Sequence, residues 1–138
     1  MSYLLDTNVL SELRKARRCD PAVAAWASAR APRELFTSVL VIGEIRKGIE
    51  LRGRVDAAQA NVLERWLAAV LLTFQGRILP VDRVVAEDWG RLNVPAPLPP
   101  IDGLLAATAR VHGMTLVTRD IDILAASGVR VLDPFVAG

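Results

Sequence analysis

The spacing of hydrophobic residues changes period along this chain, and each change marks an element. Tyr3-Leu4-Leu5 is a short unbroken apolar run, as in a strand buried on both faces. Asp6-Thr7-Asn8 then supplies residues that end strands and cap helices. A helix is predicted from Val9 to Arg17, and Asp20-Pro21 starts another through Trp26, since aspartate suits the N-cap and proline the first helical position. After Pro32 a strand is predicted at Leu35 to Thr37. Ser38 caps the next helix, where Leu40, Val41, Ile45 and Ile49 recur at helical spacing up to Arg52. Gly43 and Gly48 each weaken such a helix by about 1 kcal/mol relative to alanine, so a backbone or ligand is expected to approach closely there.

The second half repeats the alternation. Asp56 to Phe74 carries a broad apolar face built from Val62, Leu63, Trp66, Leu67, Val70 and Leu71, wide enough for core and partner. Arg77 to Val81 reads as a strand, and Asp82 caps a helix from Arg83 to Leu92. The stretch 94–100 holds four of the eight prolines and is a stiff loop delivering Ile101-Asp102. From Asp102 a helix with a small-residue face runs to His112-Gly113, a glycine C-cap. Met114 to Thr118 is a buried strand, Arg119-Asp120 lies beyond it, and a short helix leads to Gly128 and a last strand, Val129 to Leu132. Strands joined by helices predict a mostly parallel sheet in a three-layer α/β/α sandwich.

With 138 residues, 52% of them apolar, the chain is expected to form one domain spanning residues 1–138. The single cysteine, Cys19, excludes an internal disulfide and suits a reducing compartment. No uncharged stretch approaches the ~20 residues a bilayer span needs, and the N-terminus lacks a secretion signal, which predicts a cytoplasmic location. Net charge is +2. If four of the 15 acids gather at one site, the other 11 face 17 basic residues, and the remaining surface is basic. Fifteen of the 17 are arginines, whose forks match phosphate oxygens, with a local group at Arg14, Lys15, Arg17 and Arg18.

The candidate chemistry lies in Asp6, Glu44, Asp102 and Asp120. In open α/β sheets ligands bind outside the carboxyl ends of the strands, the position of Asp6 and Asp120. The helix of Asp102 and the helix of Glu44 can reach the same rim. Two carboxylates ~4 Å apart repel by about 4 kcal/mol at an effective dielectric of 20, so four in one pocket call for a cation. All-oxygen ligation selects Mg²⁺ or Mn²⁺, ions of phosphoryl chemistry, and the implied reaction is phosphodiester hydrolysis by metal-activated water. Asp6, Asp102 and Asp120 are expected as ligands, and Glu44 as a ligand through water or an orienter of the attacking water. Each also has a plain reading: Asp6 and Asp102 as helix caps, Asp120 as a turn residue, Glu44 as a partner of Arg46 or Lys47. His112 reads as a helix C-terminal cap, and the three tryptophans as core or interface aromatics.

In context these acids are Leu-Leu-Asp6-Thr-Asn-Val, Val-Ile-Gly-Glu44-Ile, Ile-Asp102-Gly-Leu-Leu-Ala-Ala-Thr-Ala and Leu-Val-Thr-Arg-Asp120. Together they resemble the PIN domain, in particular the VapC toxins of toxin–antitoxin pairs. Arg-Ile-Leu-Pro-Val-Asp at 77–82 is most similar to the FitB-like branch. The resemblance covers nearly the whole chain. It implies an α/β/α sandwich and a Mg²⁺- or Mn²⁺-dependent endoribonuclease cutting transfer RNA or another structured RNA. It also implies a homodimer, and a VapB-type antitoxin through which the complex binds operator DNA. Asp6, Glu44, Asp102 and Asp120 carry over as the acidic site, while Thr7, Asn8, Ser38, Thr118 and Arg119 match positions that surround it and tune the carboxylates. Many relatives have Asn after Thr-Arg and Asp three positions later; here Asp120 follows directly, as in the FitB-like branch, and Asp122 is the reserve. Two other classes remain: a binding module that acts with its antitoxin on DNA, and a phosphoacceptor domain. The latter needs a late lysine, and the only lysines are Lys15 and Lys47.

Overall fold

The computed structural model describes residues 1–124 and 127–136. Five short parallel strands form one sheet, in the order β3-β2-β1-β4-β5. Central β1 (Tyr3–Leu5) is buried at every residue and pairs with β2 (Leu35–Ser38) and β4 (Thr115–Val117). β3 (Ile78–Leu79) and β5 (Val131–Leu132) form the edges. From β1 to β3 the chain moves toward one edge through α1 (Thr7–Leu13), α2 (Pro21–Ser28), α3 (Val39–Gly53) and α4 (Ala57–Thr73). It then crosses to the other side of β1 through α5 (Arg83–Leu92) and α6 (Pro100–Val111), and reaches β5 after α7 (Ile121–Leu124). Right-handed crossovers that reverse direction place these two helix groups on opposite faces. The packing agrees: α3 lies on α4, α1 on α2 and α3, α5 on α6, and α6 on α7. The expected α/β/α sandwich with a parallel sheet is therefore the fold. None of the described helices is long and apolar enough to cross a membrane.

Leu4, Leu5, Leu105 and Leu116 are fully buried, each contributing roughly 1.5–3 kcal/mol by leaving water. The small face of α6, with Ala106, Ala107 and Ala109 wholly buried, lets that helix pack closely on β4. Local cap chemistry fixes most helix starts. Asp20 accepts from Ala22 N–H, Ser38 from Leu40, Asp56 from Gln59 and Asp82 from Val85. At the other end of α6, His112 is the C-cap and Gly113 follows at φ +66°.

Several boundaries differ from the pattern reading, each for a physical reason. α1 stops at Leu13, because Glu12 accepts from both Lys15 Nζ and the Asp20 N–H and so reverses the chain. Ala16 takes a left-handed φ of 52° there, and residues 16–18 form a single 3₁₀ turn. α6 starts at Pro100 instead of Asp102, since proline fits the first turn of a helix. β3 and β5 are shorter than predicted, although Arg77 O still bonds Thr37 N beyond the end of β3. Part of the predicted short helix before Gly128 falls at 125–126, outside the described residues. No other described part of the chain approaches Gly43 or Gly48 closely: both are exposed, and a Cβ on either would meet nothing within 4 Å. The tight glycine is Gly103, where a Cβ would lie 3.2 Å from the Trp89 ring and 3.3 Å from Leu98.

Candidate functional site

The carboxyl end of β1 sits between those of β2 and β4, where the winding of the sheet reverses, and such switch points open a crevice for ligands. Asp6 follows β1 directly. Its N–H continues the β1–β4 ladder to Val117 O at 3.0 Å, and its Oδ1 accepts from Thr7 N–H at 2.7 Å to cap α1. Its Oδ2 accepts from Thr118 Oγ1 at 2.7 Å, with Asn8 Nδ2 at 3.5 Å. Thr118, buried just past β4, has its Oγ1 accepting in turn from the Asp120 N–H at 3.1 Å, with Asn8 Nδ2 at 3.4 Å. One hydroxyl thus ties the ends of two neighbouring strands to the turn that carries Asp120.

Asp102 arrives from the other side, in the first turn of α6, where the positive end of the helix dipole faces its charge. The loop before it is pinned from α5. Asn93 Nδ2 donates to Trp89 O at 2.7 Å, and Asn93 Oδ1 accepts from Leu98 N–H at 3.0 Å. Trp89 packs against Gly103, next to Asp102, so a side chain at 103 would displace the helix start. The sequence signal for this contact is the glycine itself, immediately after the acid. Nothing local in the sequence announces Asn93.

Asp6, Asp102 and Asp120 each offer an oxygen, and these oxygens lie within 4.8 Å of one another. At that separation two unit charges repel by roughly 3 kcal/mol at an effective dielectric of 20. Burial pushes the Asp6 carboxyl above its usual range, against hydrogen bonds from Thr118 and Thr7, and repulsion from Glu44 and Asp120 pushes the same way. Asp102 is also raised, first by burial and then by Asp120, Asp6 and Glu44. Among the described residues no donor is bonded to the carboxylates of Asp102 or Asp120. Their lone pairs are open, and the donor set is all oxygen. That set fits a hard divalent cation, which removes the repulsion and the cost of burial together.

Glu44 stands beside this trio, in the second turn of α3, with Oε1 accepting from Thr7 Oγ1 at 2.5 Å. Thr7 and Thr118 therefore each hold one acid. Ser38 is buried and spends its Oγ on the cap of α3. Arg119 does not join the acids: its guanidinium lies 3.6 Å from the centroid of the Phe135 ring, and its charge helps lower the carboxyl of Glu12. Asp122 is exposed in α7 and lies outside the trio. Burial pushes the Cys19 thiol up, as suits an unreactive cysteine.

Residues 3–129 match the PIN domain. The chain is 34% identical to the toxin FitB of Neisseria gonorrhoeae, over 96% of this chain and 97% of that protein. It is also 34% identical to the VapC ribonuclease Y4jK of Sinorhizobium fredii, over 96% of both. A solved structure of FitAB bound to an IR36 DNA fragment superposes with a TM-score of 0.88 at 32% identity, covering 99% of this chain and 97% of that one. The fold, the switch-point acids and these similarities agree, and the chain belongs to the PIN domain family.

Proposed function

We propose that this protein is a metal-dependent endoribonuclease, the toxin of a toxin–antitoxin pair, with residues 1–138 acting as one domain in the cytoplasm. The observation that carries the reading is the trio of carboxylate oxygens within 4.8 Å, with no cation among the described residues bonded to Asp102 or Asp120. Asp6, Asp102 and Asp120 hold Mg²⁺ or Mn²⁺. When bound, the ion neutralises charge on the phosphodiester and makes water a better nucleophile near neutral pH. Thr118 would hold the carboxylate of Asp6 in place for the ion through its hydrogen bond to Oδ2, and Asn8 steadies the same pair. Glu44, fixed through Oε1 by Thr7, has Oε2 left to accept a hydrogen bond from the attacking water and orient it. Ser38 sets the start of the helix that carries Glu44.

FitB and Y4jK are named as a toxin and a ribonuclease, and FitAB was solved as a complex on DNA. By that likeness we assign this chain a VapB-type antitoxin, operator DNA bound through that antitoxin, and a homodimeric state. A groove of about 660 Å³, lined mainly by apolar residues including Leu10, Leu13, Val70 and Phe74, offers an antitoxin segment a surface. Transfer RNA is the first substrate to test. Protein freed of antitoxin is expected to cleave it with Mg²⁺ or Mn²⁺ and not in chelator, and Asp6→Ala or Asp102→Asn should abolish cleavage. Undiminished cleavage in chelator, or by both variants, would overturn the mechanism. Antitoxin and operator binding without any cleavage would leave the binding-module reading.

A further inference from the structure

A second groove begins at the bonded pair Thr7–Glu44 and runs away from the acids, between α1, α3 and α4. It measures about 290 Å³, at the small end of ligand pockets, and is lined by Ser11, Arg14, Arg52 and Trp66 beyond Glu44. Its chemistry changes along its length. One end is acidic; the other carries two guanidinium groups and an indole. Arg14 stands 5.7 Å from the centroid of the Trp66 ring and has no carboxylate partner among the described residues. Among the described residues Arg52 makes only an exposed i,i+4 pair with Asp56 at 3.7 Å, an interaction of small worth that a phosphate can displace. Gly48 forms part of the wall, and a Cβ there would meet nothing, so the missing side chain leaves open space.

We propose that this groove is the subsite for the nucleotide next to the scissile phosphate, with Arg14 and Arg52 on the flanking phosphate and Trp66 against the base. The assignment rests on the nuclease reading and extends it to how the substrate is held. Guanidinium forks match phosphate oxygens, and an indole accepts the face of any base, so the site binds single-stranded RNA with little sequence preference. The charge gradient also orients the strand. The flanking phosphate is drawn to the arginines and repelled by Glu44, while the scissile phosphate reaches the acids only where a metal ion offsets their charge. A protein segment is the competing occupant. It suits the neighbouring apolar groove better, on the far side of the Arg14–Trp66 pair, because nothing in an apolar peptide calls for the guanidinium groups of Arg14 and Arg52 together.

The test compares wild type with Arg14→Ala and Gly48→Gln, two exposed positions whose substitution leaves the core intact. Cleavage kinetics with Mn²⁺ are measured together with anisotropy of a fluorescein-labelled single-stranded RNA oligonucleotide. Arg14→Ala should raise KM roughly tenfold, leave kcat and the Mn²⁺ half-saturation within about twofold, and make the salt slope of binding shallower by ~0.7. Gly48→Gln should raise KM by obstruction at a Tm no lower than that of wild type, since glutamine is the better helix former. Trp66→Leu, which keeps the apolar packing, should weaken oligonucleotide binding about tenfold. Unchanged KM and binding in Arg14→Ala and Gly48→Gln, while wild type cleaves RNA, overturns the subsite. So does loss of affinity for the antitoxin alone. If wild type cleaves no RNA yet binds the oligonucleotide more tightly than Arg14→Ala does, the nuclease reading fails, and with it the place beside a scissile phosphate, while the groove stands as a single-stranded RNA site.

Discussion

Asp6 and Asp88 are almost equally buried, at 5% and 7% exposure, and their surroundings are opposite. Asp88, on α5, lies 3.3 Å from Arg110 Nε of α6 and 3.8 Å from Arg91, so the chain supplies its counter-charge and ties two helices together in doing so. Asp6 has Asp102, Asp120 and Glu44 for neighbours and, among the described residues, only neutral donors, Thr7, Asn8 and Thr118, on its oxygens. Glu12, a turn along the same helix as Asp6's cap, is treated like Asp88: Lys15 and the Asp20 N–H hold its carboxyl below the usual range. A buried acid that serves the fold is matched from within. A buried acid left among others of its own sign marks a place where the cation must come from outside.

The comparison breaks most sharply on activity. Asp102→Asn, nearly isosteric, should cut RNA cleavage at saturating Mn²⁺ at least roughly a hundredfold, because the ion's charge stabilisation is worth several kcal/mol. Asp88→Asn should leave cleavage per folded molecule within about twofold. Stability should reverse the ranking. Asp88→Ala strands Arg110 and separates α5 from α6; since Arg110 is 45% exposed, about 2–3 kcal/mol is expected in urea denaturation, below the range for fully buried pairs. Equal losses of stability in Asp88→Ala and Asp102→Asn would erase the distinction between matched and unmatched acids. A smaller effect follows from linkage. Mn²⁺ at ten times its Kd should stabilise wild type by about 1.4 kcal/mol and Asp102→Asn by much less, read as a shift in Tm.

How much of this was legible in the sequence follows from the range over which each signal acts. The caps at Asp20, Ser38 and Asp82 depend on residues two or three positions away, and the pattern located them. Strand and helix alternation likewise gave the parallel sheet. What lay beyond the pattern depends on partners far apart in the chain. Arg77 donates to the carbonyls of Pro32, Leu35 and Thr73 and so clamps the edge of the sheet, yet nothing around position 77 foretells it. Asn93 pins the proline loop by bonds that exist only once the loop has folded back. Gly43 and Gly48 suggested close packing because a helix tolerates glycine poorly, but at exposed positions that cost signals open space equally well. For the candidate site, residue types and order singled out the four acids. The meeting of Asp6 with Asp120 requires β4 to pair with β1 across more than a hundred residues, and Arg119, one position away, turns to Phe135 instead.

The smallest effect tests the electrostatics alone, without metal or substrate. Asp6 and Asp102 are raised in the folded protein, so between the ordinary carboxylate value of about 4 and their own values the folded state binds more protons than the unfolded one. Their contribution to stability is therefore greatest below that window and falls as pH rises through it. Glu12 has the opposite sign: its contribution is present above the ordinary value and is lost as pH falls through its lowered one. In chelator, the Tm of wild type from about pH 4 to about pH 8 should accordingly carry a loss toward neutrality that Asp102→Asn reduces, by less than about 1 kcal/mol because Asp102 is half-buried and partly screened. Glu12→Gln should leave that loss in place and, in a scan carried below pH 4, lessen the decline on the acid side, which Glu64, held down by Arg46, shares. If Asp102→Asn lowered the metal-free Tm at neutral pH, the acids would be matched by a charge within the chain, and the contrast between Asp6 and Asp88 would fail at its root.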